Sequence, residues 1–181
     1  MRTDAEMAAA FREGDDRAFA LLYERHKRSL YAFALRMLGE ADAARDIVQD
    51  VFLKVFERRR QLNKPESFRS WLFTIGRNRC VSHLRESRKQ APLDDVPEEA
   101  IAVAADTGER EAEEDVRLIR LALGRLKIEY REVLILREYQ DLSYREIAEI
   151  TESTESAVKS KLFKARRALH EALKPAFAGR R

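Results

Sequence analysis

The sequence predicts an all-α protein of two small helical domains, joined by a flexible acidic linker, with a helix-turn-helix in the second domain. Its 181 residues have room for two such domains, and an apolar content of 45% supports buried cores. Only 6 Gly and 4 Pro interrupt a chain rich in Ala, Leu, Glu and Arg, which favour helices. Charge is segregated, because residues 1–90 carry 19 Lys/Arg and 13 Asp/Glu, residues 91–115 carry 1 and 10, and residues 116–181 carry 15 and 9. We therefore assign residues 1–90 to the first domain, 91–112 to the linker and 113–181 to the second domain.

Two helices are predicted at the start of the chain. Thr3 and Glu6 have the spacing of a capping box, which starts a short helix. Asp15 or Asp16 then caps a long second helix. The inner side of that helix is predicted to be Phe19, Leu22, His26, Leu30, Phe33 and Met37. Because His26 falls in this apolar series, we interpret it as a structural histidine rather than a metal ligand.

A third helix, over about 41–60, shows the most regular apolar pattern. Its buried side is predicted to be Ala44, Ile47, Val48, Val51, Phe52, Val55 and Phe56. Asp46, Gln49, Asp50 and Lys54 follow one another at three- or four-residue spacing on its flank, and we call them the polar ridge. The polar ridge is either an ordinary solvated face or a specific binding surface, and a glutamine between two acids favours the second interpretation.

A basic and aromatic helix follows the loop around Pro65. Ser67 is suited to cap it, and it runs to about Ser87. Its apolar side is predicted to be Phe68, either Trp71 or Leu72, Ile75, Val81 and Leu84. Residues 54–89 carry 11 basic and 3 acidic side chains, interleaved with the rings of Phe68, Trp71 and Phe73. This combination suits single-stranded nucleic acid, whose phosphates meet the cations and whose bases stack on the rings, although Trp71 is equally well explained as core.

The second domain follows the linker. One helix is predicted to end near Leu126, and another spans about 129–137 with Val133, Leu134 and Leu136 inward. Residues 142–169 then read as two helices joined by a tight turn, with a capping box at Ser143 and Glu146 and a second N-cap at Thr154. The last helix buries Val158, Leu162, Ala165 and Leu169 and exposes Ser156, Lys159, Ser160, Phe163, Lys164 and Arg167. The exposed set suits a helix in the major groove of DNA, although an ordinary helical hairpin with a solvated basic face has the same pattern.

Several classes of protein are disfavoured by the same sequence. No apolar run approaches the roughly 18 residues that span a bilayer, and the N-terminus lacks a signal-peptide core. The single cysteine, Cys80, permits no internal disulfide and fits a reducing cytoplasm. The three histidines lie far apart, and no glycine-rich nucleotide-binding motif is present. We therefore expect a cytoplasmic protein with no catalytic residues, no cofactor and no metal.

Three blocks in order carry a resemblance to a known family. They are DIVQDVFLKVF (46–56), SFRSWLFTIGRNRCVSHLR (67–85), and REVLILREYQDLSYREIAEI (131–150) followed by ESAVKSKLFKARRAL (155–169). From about Gly14 to Leu173 the chain resembles the bacterial RNA polymerase sigma factors of the sigma-70 family, extracytoplasmic-function (ECF) group. The resemblance implies a non-enzymatic transcription initiation factor that binds core RNA polymerase, directs it to specific promoters and assists DNA melting.

The resemblance also implies roles for particular residues. The polymerase-binding candidates are Asp46, Gln49, Asp50, Phe52 and Lys54. The candidates for binding the promoter's minus-ten element are Asn63, Lys64, Phe68, Arg69, Trp71, Arg77, Asn78 and Arg85. The candidates for binding the minus-thirty-five element are Ser156, Lys159, Ser160, Phe163, Lys164, Arg166 and Arg167. The implied partners are core RNA polymerase, promoter DNA and an anti-sigma factor, and the acidic linker is expected to thread the basic nucleic-acid channel of the polymerase.

One departure and two rival functions remain at this point. Family members usually place glycine and then an apolar residue in the helix-turn-helix turn, where this chain has Glu152 and Ser153, and Thr151 replaces a common leucine. The turn thus loses a residue that tolerates a left-handed conformation and an apolar residue, and the sequence leaves its geometry open. A helix-turn-helix regulator that never touches polymerase would explain residues 142–169 but leave 67–85 without a task. A single-strand- or RNA-binding protein would explain residues 67–85 but would leave residues 142–169 unexplained.

Overall fold

The computed structural model describes residues 2–90 and 110–177, and every regular element in that part of the chain is helical. The first domain contains α1 (Asp4–Arg12), α2 (Asp16–Leu38), α3 (Ala41–Glu57), two 3-10 turns (Arg59–Gln61 and Pro65–Ser67) and α4 (Phe68–Gln90). The second contains α5 (Arg110–Arg125), α6 (Ile128–Leu134), a π turn (Ile135–Tyr139), α7 (Tyr144–Ile150) and α8 (Glu155–Phe177). The predicted fold class is therefore confirmed, while the predicted flexibility and threading of the linker fall on residues outside the described ones.

Local signals fix the first helix boundaries. The Thr3 hydroxyl accepts from the amide of Glu6, and the Glu6 carboxylate accepts from the amide of Thr3, so the predicted capping box is present. Asp15, rather than Asp16, caps α2, because its Oδ1 accepts from two amides of the first turn at 2.9 and 3.2 Å. Gly39 ends the helix with a φ of 83°, a left-handed conformation that glycine adopts at low cost.

The core of the first domain lies where α1, α2, α3 and α4 meet. Its largest wholly buried side chains are Met7, Phe11, Leu22, Leu30, Phe33, Met37, Phe68, Leu72 and Phe73. Leu72 rather than Trp71 takes the core position on α4, and Trp71 is half-buried. Gly76 lets α4 approach α2 closely, because a Cβ at that position would lie 2.8 Å from Leu30 Cδ1.

His26 is a structural residue of this core, as predicted. It is 6% exposed, and its Nε2 lies 2.8 Å from Oδ2 of Asp4 at the start of α1. Burial lowers the pKa of His26, and the neighbouring Asp4 carboxylate opposes that effect in part. The pair ties the first helix to the middle of the second.

The second domain packs α5, α6 and α7 around α8 and is closed by the π turn. Val133, Leu134, Leu136, Ile147, Val158, Leu162 and Ala165 form its interior together with Ile135 and Ile150. The predicted helix over 129–137 is wrong in one respect, because α-helical bonding stops at Leu134 and a wider turn follows. In that turn the amide of Gln140 donates to the carbonyl of Ile135 at 3.2 Å. Such a turn carries one more residue than an α-turn.

The two domains contact each other directly. Helices α2 and α4 of the first domain meet the π turn and α7 of the second. Among the described residues, no helix is both long and apolar enough to cross a membrane.

Candidate nucleic-acid interfaces

The exposed side of α8 gathers all the minus-thirty-five candidates, and we call it the α8 face. Helix α8 is capped by Thr154, whose Oγ1 accepts from the amide of Ala157 at 3.1 Å. Its apolar stripe is buried, so the opposite side must face solvent. The candidates, all of them exposed, are Ser156, Lys159, Ser160, Phe163, Lys164, Arg166 and Arg167. Phe163 is 64% exposed, so its ring is accessible to a partner.

Arg166 differs from its neighbours on the α8 face because it already has a partner. Its Nη2 and Nε lie 2.7 and 3.2 Å from Oε1 of Glu138 in the π turn. The hydrogen bond raises the pKa of Arg166. Arg167, the next residue, is exposed and makes no such bond to Glu138.

The geometry of the turn between α7 and α8, which the sequence left open, includes one left-handed residue. Glu152 has a φ of 50°, which glycine would adopt without strain. Polar side chains take over the role of the missing apolar residue. The Thr151 hydroxyl donates to the Ile147 carbonyl at 2.7 Å and lies 2.8 Å from the Ser153 hydroxyl. The amide of Ser153 donates to the Ala148 carbonyl at 2.9 Å.

The minus-ten candidates on α4 form a second surface, which we call the α4 face: Arg69, Trp71, Arg77, Asn78 and Arg85. Two of its guanidinium groups are bonded to the second domain. Arg77 holds the Glu132 carboxylate with Nε at 2.7 Å and Nη2 at 3.2 Å, and Arg69 donates to the carbonyl of Gln140. Asn63 and Lys64 in the preceding loop, and Asn78 and Arg85 on the helix, are exposed.

Only one of the three predicted stacking rings is accessible. Phe68 and Phe73 are wholly buried, and Phe73 meets Phe33 edge-on with ring centres 5.5 Å apart. Trp71 is half-buried, with its ring centre 6.3 Å from that of Phe68. The predicted stacking role of Phe68 and Phe73 is therefore wrong for this structure, and Trp71 is the ring available to a base.

The polar ridge on α3 is only partly exposed. Asp46 and Gln49 face solvent, and Lys54 is half-buried. Asp50 forms an ion pair with Arg79 of α4. Phe52 is 3% exposed and meets Tyr23 edge-on, with ring centres 4.7 Å apart, so its side chain belongs to the core and not to the exposed surface.

Sequence reasoning missed Leu53, which is 55% exposed beside the polar ridge. Leu53 lines two grooves, one of about 630 Å³ between α2 and α3 and one of about 410 Å³ between α3 and α4. The sequence did contain evidence for this position, because Leu53 follows Gln49 by four residues and Asp50 by three. That spacing places Leu53 on the same side of the helix as the polar ridge.

Glu132 was also missed. It stands directly before the apolar run Val133 to Leu136, and its side chain is 1% exposed. An acid at such a position must find a cation, because a buried unpaired carboxylate is costly. The sequence could not show that this cation is Arg77 of the other domain. Cys80, by contrast, is an inert core residue, since burial raises the pKa of its thiol to about 12.

Comparison with known proteins gives two family matches that divide the chain as the helices do. The family model described as Sigma-70 region 2 matches residues 22–90, and the one described as Sigma-70, region 4 matches residues 117–169. The first match contains the polar ridge and the α4 face, and the second contains the helix-turn-helix and the α8 face.

Similar proteins and structures extend these matches. The ECF RNA polymerase sigma factor SigL of Mycobacterium tuberculosis is 32% identical over 149 residues, which cover 82% of this chain and 84% of SigL. The RNA polymerase sigma factor SigV of Bacillus subtilis is 31% identical over 140 residues, covering 77% and 81%. The structure of CnrH in complex with the cytosolic domain of CnrY has a TM-score of 0.75 at 26% identity, covering 95% of this chain and 97% of that one. The sigma factor RpoE in complex with the anti-sigma factor NepR from Bartonella quintana has a TM-score of 0.71 at 27% identity, covering 86% and 96%.

Proposed function

Because the chain belongs to the extracytoplasmic-function group of the sigma-70 family, whose members are transcription initiation factors, we propose a division of labour between its two surfaces. The α4 face and the preceding loop bind the minus-ten element as an opened strand. The α8 face reads the minus-thirty-five element as intact duplex. The polar ridge, together with Leu53, binds core RNA polymerase, which brings the two readers to one promoter.

The observation that carries the proposal is the exposure of the α8 face on a correctly formed helix-turn-helix. A helix in the major groove needs short side chains near its N-terminus and cations behind them, and α8 offers Ser156 and Ser160 followed by Lys164 and Arg167. The exposed ring of Phe163 between them suits apolar contact with a thymine methyl group.

Melting is driven by binding in this proposal, since the sequence carries no nucleotide-hydrolysis motif. Unstacking costs a few kcal/mol per base step, and a base stacked on an aromatic ring returns about 1–3 kcal/mol. With Trp71 as the one accessible ring among the three candidates, the balance is narrow. The protein therefore depends on polymerase for the remaining contacts, and the free chain opens no promoter.

An anti-sigma factor is a further proposed partner. One solved structure similar to this chain holds the sigma factor RpoE with the anti-sigma factor NepR, and another holds CnrH with the cytosolic domain of CnrY. The groove between α2 and α3 is lined by rings, including those of Phe19, Tyr23 and Tyr31, and is edged by Lys27 and Arg45. An amphipathic segment with acidic flanks would fit it.

We also propose that the protein acts in the cytoplasm, where core polymerase and the chromosome are found, and that it performs no catalytic step itself. A helix-turn-helix regulator working without polymerase is not favoured, because the region 2 match covers residues 22–90.

The test is co-purification with core RNA polymerase followed by run-off transcription. We expect the wild-type chain to be retained on core polymerase and to direct a promoter-specific transcript. Asp46→Ala should reduce retention, while Asp42→Ala, an exposed acid on the same helix, should not. A chain that binds duplex DNA but neither is retained nor supports transcription would instead be a conventional regulator.

A further inference from the structure

One member of the polar ridge, Asp50, is held by a side chain of the neighbouring helix. Arg79 of α4 forms an ion pair with Asp50 through its Nη2 and the carboxylate Oδ2. The pair crosses from α3 to α4, whose backbones are in contact along this side of the first domain. The orientation of Asp50 is therefore set by a residue that lies outside the helix carrying the polar ridge.

The two oxygens of the Asp50 carboxylate differ in their surroundings. Oδ2 is buried against the Arg79 guanidinium, and Nε of that guanidinium is buried as well. The burial of a charged oxygen is tolerated here because the cation beside it compensates for lost water. The Asp50 side chain as a whole is nonetheless 32% exposed, so the part of the carboxylate that solvent can reach is Oδ1. Arg79 thus fixes one oxygen and leaves the other able to accept a hydrogen bond from a partner.

Arg79 lies on a side of α4 that differs from the α4 face. Positions 79, 82, 83 and 86 are three or four residues apart, and all of them line the groove of about 410 Å³ between α3 and α4. The opposite wall of that groove carries Asp46, Gln49, Asp50 and Leu53. None of the residues that define the α4 face lines it. Arg79 therefore faces the surface proposed to bind polymerase, and not the one proposed to bind a DNA strand.

A side chain that is held in place before binding gives a tighter complex than a mobile one. When a partner binds a mobile side chain, the loss of rotamer freedom opposes binding. The ion pair with Arg79 restricts the rotation of the Asp50 carboxylate in the free chain. Oδ1 can then accept from a cation or an N–H group of the partner without reorientation, and hydrogen bonds of this charged type are the strong ones.

We propose that Arg79 is a positioning residue for the binding of core RNA polymerase, and that it acts through Asp50 by directing Oδ1 toward a donor on the polymerase. This inference rests on the proposed role of the polar ridge in polymerase binding. It adds α4 to that role, because a side chain of α4 sets the geometry of a contact that is made from α3. Arg79 itself touches neither polymerase nor DNA.

Two other roles for the pair would give different patterns of affinity. If the pair only fastened α3 to α4, loss of either partner would weaken polymerase binding as much as loss of both. If Arg79 touched polymerase directly, its loss would weaken binding even where Asp50 is already neutral. If Arg79 positions Asp50, loss of Asp50 removes the contact itself and must weaken binding more than loss of Arg79 does.

The test is a double-mutant cycle on the full chain. The Kd for purified core RNA polymerase is measured without DNA for Asp50→Asn, Arg79→Met and the double variant. Arg79→Lys keeps a cation at the same position. Arg60→Met, which removes an exposed cation shortly after α3, is the matched control. Urea unfolding of each variant establishes that it is folded at the temperature of the binding measurement.

We expect Arg79→Met to raise the Kd about three- to fivefold, through the loss of preorganisation. Asp50→Asn should raise it about tenfold to a hundredfold, as for loss of a hydrogen bond to a charged group. The double variant should match Asp50→Asn within about 1.5-fold.

Two further variants complete the set. Arg79→Lys should stay within about twofold of wild type, because a single ammonium can also pair with Oδ2, and Arg60→Met should bind as wild type does. If Arg79→Met does not fold, Arg79→Gln takes its place in the cycle. Its amide can still donate to the buried Oδ2, so its effect should be in the same direction and about twofold.

Each outcome decides between the proposals. The expected order of Kd values, with rescue by Arg79→Lys, supports the inference. An unchanged Kd in Arg79→Met beside weaker binding by Asp50→Asn would overturn the positioning role and leave the polar ridge as the polymerase site. Equal losses in all three variants, or an added loss in the double variant, would also overturn it. An unchanged Kd in Asp50→Asn would overturn the inference together with the proposed role of Asp50.

Discussion

The α4 face and the α8 face are assigned related tasks but differ in what surrounds them. Both are basic sides of a 23-residue helix whose other side is buried. The α8 face is open, and its ring, Phe163, is 64% exposed. The α4 face is partly covered by the second domain, and Phe68 and Phe73, two of its three candidate rings, are core. Under the proposed function, duplex recognition would use a surface that is exposed in this structure, whereas strand binding would use one that the second domain partly covers.

The largest expected effect tests whether aromatic residues on α4 are structural. Phe73→Ala removes a wholly buried ring that packs against Phe33 and should lower the free energy of unfolding by about 3–5 kcal/mol. Trp71→Ala, at a half-buried ring, should cost clearly less stability. Urea titration followed by circular dichroism measures both. Equal losses of unfolding free energy in Phe73→Ala and Trp71→Ala would contradict the distinction between core and accessible rings on α4.

The corresponding change on the α8 face should leave stability alone. Phe163→Ala alters an exposed side chain, so the free energy of unfolding should stay within about 0.5 kcal/mol of wild type. Affinity for minus-thirty-five duplex should fall by about 1 kcal/mol if the ring meets a thymine methyl group, which is the order expected for burial of one methyl group. Band-shift titration measures it, with His170→Ala, an exposed residue of the same helix, as control. A duplex with deoxyuridine in place of thymidine should abolish the difference between Phe163→Ala and wild type.

A smaller effect is expected at the turn that presents the α8 face. Glu152 holds a left-handed conformation, which costs a side-chain-bearing residue about 1–2 kcal/mol. Glu152→Gly should remove that cost. Glycine also increases the conformational entropy of the unfolded chain, which offsets part of the gain in stability. The net gain should be about 0.5–1 kcal/mol in thermal or urea unfolding. A loss of stability would show that the Glu152 side chain has a favourable role in the folded state.

The smallest effect concerns pH and should be confined to the first domain. Burial places the folded-state pKa of His26 below its ordinary value near 6.5, so the unfolded chain takes up the proton first. The stability that neutral His26 contributes is complete above pH 6.5 and is lost as pH falls below it. Fluorescence of Trp71, the single tryptophan, should show a lower urea midpoint at pH 5.5 than at 7.5. His26→Leu should flatten this dependence, and an unaltered slope would assign it to other groups.

Features set by neighbours in sequence could be predicted, and those set by distant contacts could not. The capping boxes at Thr3 and Ser143 and the stripe of α8 depend on residues three or four apart, and the structure contains them as predicted except that Leu169 is half-buried. The pairing of Arg77 with Glu132 joins positions 55 residues apart, and no local pattern contains it. Trp71 and Leu72 are adjacent and similarly apolar, so only the packed domain decides which one is buried.

The turn around Glu152 shows a different limit. Its residue types argued against a left-handed turn, because glutamate adopts that conformation at a cost. The hydrogen bonds of Thr151 and Ser153 nonetheless hold the backbone in place. These hydrogen bonds outweigh the conformational preference of glutamate, and that preference alone contains no information about them.

The π turn at Ile135–Tyr139 affects the rotational position of α7 and α8 relative to α6. Each residue advances a helix by about 100°, so the one extra residue in this turn rotates the following helices by roughly that angle. Deleting one residue here would convert the π turn into an α-helical turn. Helix α8 would then lie on a different side of the domain, although its own side chains would be unchanged. A length change of one residue in this five-residue stretch should therefore be more damaging than a longer insertion in a surface loop.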